Sequence, residues 1–214
     1  MTKLIVVRHG QSESNLAQIF TGQGDTLLTE LGKRQAQNTA RFLREIPIDA
    51  IYSSDLSRAV ETARPTAEAH GLPVHAEPLL REIHAGEWEG HTYAYLQEHD
   101  PQGYDLWRTD IGRAQPAGGE SVVELASRVY RCVDALIERH RGGCIAVFTH
   151  ATPLRVLGAR WHGYAPEESG RLPFGGNASV SMVEISDDGR VNVLLYGYDA
   201  HHGNDATALP KGLV

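Results

Sequence analysis

Leu4-Ile5-Val6-Val7-Arg8-His9-Gly10 is the stretch from which the rest of the chain can be read. Its four apolar residues are mostly β-branched and uninterrupted, the pattern of a short strand buried on both faces, and Arg-His-Gly follows at once. The pattern recurs at Ile145 to Phe148, which runs directly into Thr149-His150-Ala151. A third candidate strand, Ile48 to Tyr52, leads through Ser53-Ser54-Asp55 into a helical pattern with Leu56, Val60, Ala63 and Ala67 on one face. Pro65 is expected to kink or split that helix.

Helical periods fill the spaces between the strands. From about Glu120 to Glu138, Val122, Leu125, Val129, Cys132, Val133, Leu136 and Ile137 keep a 3.6-residue period, and Ser121 with Glu124 fits a capping box. An earlier helix is expected over Thr29 to Arg44. Near the end, Ala178 to Ile185 and Arg190 to Tyr196 flank Asp187-Asp188-Gly189, a hairpin signal that adds antiparallel strands. Alternating strands and helices predict an α/β fold, a three-layer α/β/α sandwich on a mostly parallel central sheet. The stretch from about 78 to 119 breaks the alternation and is rich in aromatic residues, including Trp88 and Trp107. It is expected to be a helical, cap-like insertion packed onto the sheet, with residues 1–214 forming one domain.

Composition narrows the partners. The 214 residues are 41% hydrophobic and 22% charged, ordinary values for a compact fold, which excludes disorder and collagen-like structure. A net charge of -7 with no basic run argues against nucleic acid and anionic membrane as partners. An anion ligand would therefore require a local cluster of arginines. Cys132 and Cys144 fall in a helical pattern and at the start of a strand, so they read as buried free thiols of a reducing, cytoplasmic compartment.

In open parallel sheets ligands bind beyond the carboxyl ends of the strands, where loops converge and helix amino termini aim their N–H groups at anions. Three strand ends here carry cationic or imidazole groups: Arg8 and His9 after the first strand, Arg58 in the first turn of the helix after the second, and His150 after the third. Two histidines and two arginines suit phosphoryl transfer, because a phosphate dianion needs fixed positive donors and a neutral imidazole can attack phosphorus. A carboxylic acid must then protonate the leaving alkoxide, and Glu82, at the opening of the insertion, is the leading candidate.

These residues sit in a longer pattern. The run Arg8-His9-Gly10-Gln11-Ser12-Glu13-Ser14-Asn15 resembles the Arg-His-Gly signature of the histidine phosphatase superfamily, in its phosphoglycerate mutase-like branch. The resemblance continues in Phe20-Thr21-Gly22, Leu28-Thr29-Glu30-Leu31-Gly32, Tyr52-Ser53-Ser54-Asp55-Leu56-Ser57-Arg58-Ala59, Glu82-Ile83-His84-Ala85-Gly86-Glu87-Trp88-Glu89-Gly90 and Gly118-Gly119-Glu120-Ser121. It implies that His9 is the residue phosphorylated, that Arg8, Arg58 and His150 hold the phosphoryl oxygens, and that Glu82 is the proton donor and later the base for water. Asn15, Thr21 and Gly22 would line the phosphate or the substrate beside it, and Gly10 would admit backbone close to the phosphate. Around the second histidine the family commonly has glycine where this chain has Ala151, which keeps the N–H but adds a methyl group to the substrate-binding wall.

The implied activity is hydrolysis of small phosphate monoesters through a phosphohistidine, with no cofactor and no metal, and the resemblance is compatible with a homodimer. The alternatives are a phosphoglycerate mutase, which the short insertion disfavours, and a non-catalytic phospholigand or protein-binding module, which the intact residue set disfavours. Competing motifs are incomplete: Gly32-Lys33 lacks the earlier glycine of a P-loop, and Gly119-Glu120-Ser121 lacks the closing glycine of a serine-hydrolase elbow. The other histidines show no metal-ligand spacing. His84, His201 and His202 are left open as substrate contacts.

Overall fold

A computed structural model describes residues 1–207; residues 208–214 of the expected single domain lie outside them. Its sheet has six strands, β1 (Thr2–Arg8), β2 (Ala50–Ser53), β3 (Val74–Ala76), β4 (Cys144–Thr149), β5 (Val180–Ile185) and β6 (Val191–Tyr198), in the order β3-β2-β4-β1-β5-β6. The first four pair in parallel, while β5 runs antiparallel to β1 and β6 antiparallel to β5. The helices are α1 (Glu13–Leu16), α2 (Glu30–Leu43), α3 (Ser57–His70), α4 (Tyr93–His99), α5 (Pro101–Thr109), α6 (Val122–Arg139) and α7 (Ala151–Trp161), joined by short 3₁₀ turns.

Side-chain alternation in the central strands divides the interior into two cores. Leu4, Val6, Ala50, Tyr52, Ile145 and Val147 face one side and pack with Val129, Val133 and Leu136 of α6 and with Leu154 and Leu157 of α7. Ile5, Val7, Ile51, Ala146 and Phe148 face the other and pack with Leu43 of α2 and Ala63 and Ala67 of α3. Continuous apolar runs are what a strand covered on both faces requires. The first core continues without a gap into the 78–119 segment through Leu80, Trp88, Leu96, Tyr104 and Trp107, so this segment is packed onto the sheet. Its two helices, α4 and α5, share Asp100, whose carboxylate caps α5 at Gly103 N and also accepts from Trp88 Nε1.

Helix ends follow their local chemistry. Thr29 caps α2, and Ser121 with Glu124 forms the reciprocal capping box of α6. At Pro65, α3 is not split: the helix runs from Ser57 to His70, with Ala59, Thr62, Ala63, Thr66 and Ala67 buried before and after the proline. Burial along that face outweighs the hydrogen bond that proline removes. The strand expected at Ile48 begins later, at Ala50, because the Asp49 carboxylate turns to accept from Cys144 N. The three-residue β3 carries too little pattern to be read in advance.

Candidate active site

Parallel pairing aligns the strand ends that carry the reactive groups. Arg8 is paired with Thr149 and Ser53 with Phe148, and the ladder extends past the strands through His9 N to Thr149 O at 2.9 Å and Ser54 N to Phe148 O at 2.9 Å. His9 and His150 are thereby brought together, with ring centroids 5.1 Å apart and ring planes at 61°. Both are buried, at 4% and 0% exposure.

The tautomer of His9 follows from its partner. Its Nδ1 lies 2.7 Å from the Gly10 carbonyl oxygen, which can only accept, so the proton sits on Nδ1 and the Nε2 lone pair is free. The ring is held well below the ordinary imidazole value, first by burial and then by Arg58 and Arg8, with the Gly10 bond opposing. His150 is depressed in the same way by burial, then chiefly by Arg58 and His9. Its Nε2 contacts Ser54 Oγ at 2.8 Å, while Nδ1 is buried without a partner, leaving one ring position unused.

The two arginines are anchored by carbonyls. Arg8 Nη1 donates to Gly175 O at 2.6 Å, and its Nε is buried without a partner. Arg58, 1% exposed, donates from Nη1 to Gly24 O and from Nη2 to Gly22 O, both at 2.8 Å. Burial lowers it to about 10, and the largest opposing influence is the Glu82 charge. Buried guanidinium groups held by carbonyls keep their full charge available to an anion.

Gly22 has the positive φ of 52° that glycine tolerates, and a side chain there would run into the Glu89 carboxylate, which holds Gln23 N and Ala85 N. At Gly10 a methyl group would lie 2.7 Å from Gly32 O. Its missing side chain lets the loop after β1 approach α2.

Glu82 reaches the same place from the other side of the cleft. Its Oε1 accepts from Ile83 N at 2.8 Å, and its Oε2 accepts from Ala151 N at 3.1 Å and Thr152 N at 3.3 Å, the first turn of α7. Asn15 Oδ1 accepts from Ser12 N and from Asn177 Nδ2, so its own amide hydrogens remain for a ligand.

A cavity of about 280 Å³ opens over these groups and is lined by Arg8, His9, Asn15, Thr21, Gly22, Arg58, Glu82 and Ala151 together with several residues absent from the sequence reading. His150 lies beneath His9 and outside the lining. The additional wall includes Gln11, Leu16, Tyr93, Phe174, Asn177 and Thr207. Gly175-Gly176-Asn177 just before the hairpin was the one signal that could have pointed to Asn177.

His84, His201 and His202 do not line the cavity. His201 stacks on Phe42 of α2 at 4.9 Å and contacts Thr39 Oγ1, and His202 Nε2 bonds to Ala178 O. His201 thus fastens the C-terminal segment to α2, and His202 fastens it to the loop before β5. Among the described residues no group of three or more His, Cys, Asp or Glu side chains is placed to hold a metal ion.

Two buried guanidinium groups against one carboxylate, around a neutral imidazole with a free lone pair, define an α/β/α protein with a cavity suited to a tetrahedral anion. The chain belongs to the histidine phosphatase superfamily (branch 1), whose family profile matches residues 4–197. It is 34% identical to phosphoserine phosphatase 1 of Hydrogenobacter thermophilus over 196 residues, 91% of each chain. Among solved structures, Bacillus stearothermophilus YhfR superposes with a TM-score of 0.90 at 29% identity, covering 94% of this chain and 100% of that one. A mycobacterial glucosyl-3-phosphoglycerate phosphatase in complex with VO3 superposes at 0.86 with 31% identity, covering 92% and 99%. A bifunctional protein of Mycobacterium tuberculosis is 38% identical over 157 residues, 73% of this chain, and there the match spans 43% of the relative's length.

Proposed function

We propose that the chain hydrolyses small phosphate monoesters by way of a phosphohistidine at His9, with no metal or cofactor, and that it does so in the cytoplasm. The observation that carries this reading is the fixed tautomer of His9, whose Nδ1–H is committed to Gly10 O so that Nε2 is neutral, unprotonated and open to the cavity between two arginines.

In the first step Nε2 attacks phosphorus, a P–N bond forms and the bond from phosphorus to the alcohol oxygen breaks. Arg8 and Arg58 stabilise the charge on the phosphoryl oxygens, with Asn15 adding its free amide hydrogens and Thr21 and Gly22 lining the approach; His150, packed behind His9 and outside the lining, has its unpaired Nδ1 as the one position from which to donate to them. The Ala151 N–H, now taken by Glu82, is the donor that a phosphoryl oxygen would claim on binding. Displaced from it, the Glu82 carboxyl faces the leaving oxygen and in its acid form gives its proton to the alkoxide. In the second step the Glu82 carboxylate takes a proton from water, the water oxygen attacks phosphorus, and the P–N bond breaks to restore neutral His9.

His9→Ala is expected to abolish turnover and covalent labelling, and enzyme quenched during turnover should carry acid-labile phosphate on His9. A label on another residue, or full activity in His9→Ala, overturns the mechanism.

A further inference from the structure

The cavity has a second half that the transfer of phosphate does not use. Beyond Arg8 and Arg58 its wall is made by Leu16, Ile19, Phe20, Tyr93, Trp107 and Phe174. Most of these are held rigidly. Phe20 meets Trp88, Tyr93 and Trp107 edge to face at 5.3, 6.2 and 5.0 Å. The loop bearing Phe20 is fastened to the start of the insertion by Phe20 N to His91 O and Tyr93 N to Gln18 O.

Phe174 is fixed from behind. The guanidinium carbon of Arg155, a residue only 2% exposed, lies 4.0 Å from its ring centroid, and Arg155 also holds the carbonyls of Ser169, Gly170 and Leu172. An aromatic wall that does not have to reorganise is suited to an apolar ring.

Charge is sparse in the lining. Among the described residues its charged side chains are Arg8, Arg58 and Glu82, and both cations belong to the phosphate-binding end. The remaining polar lining is neutral, as at Gln11, Gln18 and Thr207. A carboxylate or second phosphate on the alcohol half would be desolvated against aromatic rings with no cation beside it among the described lining residues other than the two that hold the phosphate.

We infer that the alcohol half of the substrate is uncharged and carries an apolar, ring-sized face, so that the site selects phosphate monoesters of aromatic or bulky apolar alcohols over those bearing a carboxylate. The inference rests on the phosphatase reading above and goes beyond it in naming the substrate class.

The test compares kcat/KM for four alkyl esters, 2-phenylethyl phosphate, ethyl phosphate, O-phosphoserine and 3-phosphoglycerate, in wild type and in Leu16→Arg and Phe174→Ala. Leu16 is 67% exposed, so the arginine can be accommodated without disturbing the core. In wild type, 2-phenylethyl phosphate is expected to exceed each of the others by about tenfold or more, the discrimination that a few buried methylenes provide. Leu16→Arg should move the ratio of 3-phosphoglycerate to 2-phenylethyl phosphate about tenfold toward the charged ester, and Phe174→Ala should lower the ratio of 2-phenylethyl to ethyl phosphate. Wild-type preference for phosphoserine or 3-phosphoglycerate, or ratios unmoved in both variants, overturns the inference and leaves the phosphatase reading standing. Release of phosphate from none of the four overturns both.

Discussion

The reactivity proposed for His9 rests on two features, a fixed Nδ1 proton and a depressed affinity for a second one. Because burial and the two arginines hold its pKa below the ordinary 6.5, Nε2 stays unprotonated through neutral pH. The rate of phosphoenzyme formation is therefore expected to show no loss from His9 protonation until the pH falls below 6.5, which single-turnover rates and imidazole NMR shifts can follow together. An acid limb at or above 6.5 assigned to His9 contradicts the geometry.

Glu82 can be tested separately through its leaving group. Glu82→Gln cannot donate a proton, so phosphorylation by an alkyl phosphate should slow by about 10²- to 10⁴-fold. Transfer from 4-nitrophenyl phosphate, whose leaving anion is stable, should slow far less. Equal losses in a single turnover would remove Glu82 from the role and turn attention to Glu87 and Glu89.

Between the residue and the fold stands α6, which reaches across to fix the turn that bears Glu82. Arg128 donates to Leu79 O, Arg81 O and Glu82 O, and pairs with Glu120 at 2.6 Å. Arg128 is 13% and Glu120 18% exposed, so water replaces little of this network. Arg128→Lys keeps the charge but not the fork of donors, and is expected to lower kcat for alkyl phosphates by about tenfold through misplacement of Glu82. The readout specific to positioning is a smaller loss with 4-nitrophenyl phosphate than with an alkyl ester; a purely structural defect would lower both equally. The start of the same helix gives a stability test. Ser121→Ala removes the oxygen that accepts from Glu124 N, and thermal or urea unfolding should report a loss of about 1 kcal/mol.

The whole molecule stores neutral histidines in places that a proton would disrupt. His9, His150, His201 and His202 all lie below the ordinary imidazole value, chiefly through burial, and His201 is lowered to about 4. Below pH 6.5 the unfolded chain therefore binds more protons than the folded one, so stability is complete above that value and falls as the pH drops through it toward the folded pKa values. Urea midpoints should fall between about pH 7 and pH 5, and His201→Phe, which stays on Phe42 without titrating, should reduce the slope. An unchanged midpoint would mean that these rings are charged in the folded state.

Five of the six strands and the three longest helices, α2, α3 and α6, were legible in the chain alone, because a buried parallel strand needs an unbroken apolar run and a packed helix needs a 3.6-residue stripe. Leu4 to Val7, Ile145 to Phe148 and the Ser121–Glu124 box state these needs locally. The sequence also marked Arg8, His9, Arg58, Glu82, Asn15 and His150, since strand ends and short motifs are contiguous in the chain. That α3 continues through Pro65 depends on packing, since burial on both sides of the ring outweighs a lost hydrogen bond. The tertiary structure also places His201 on α2 and His202 on Ala178 of the loop before β5, away from the cavity. The wall built from Leu16, Phe20, Tyr93, Trp107 and Phe174 was beyond local pattern for the same reason: a cavity surface is a set of contacts between residues distant in the chain, and each of these side chains, taken alone, has the pattern of an ordinary core residue.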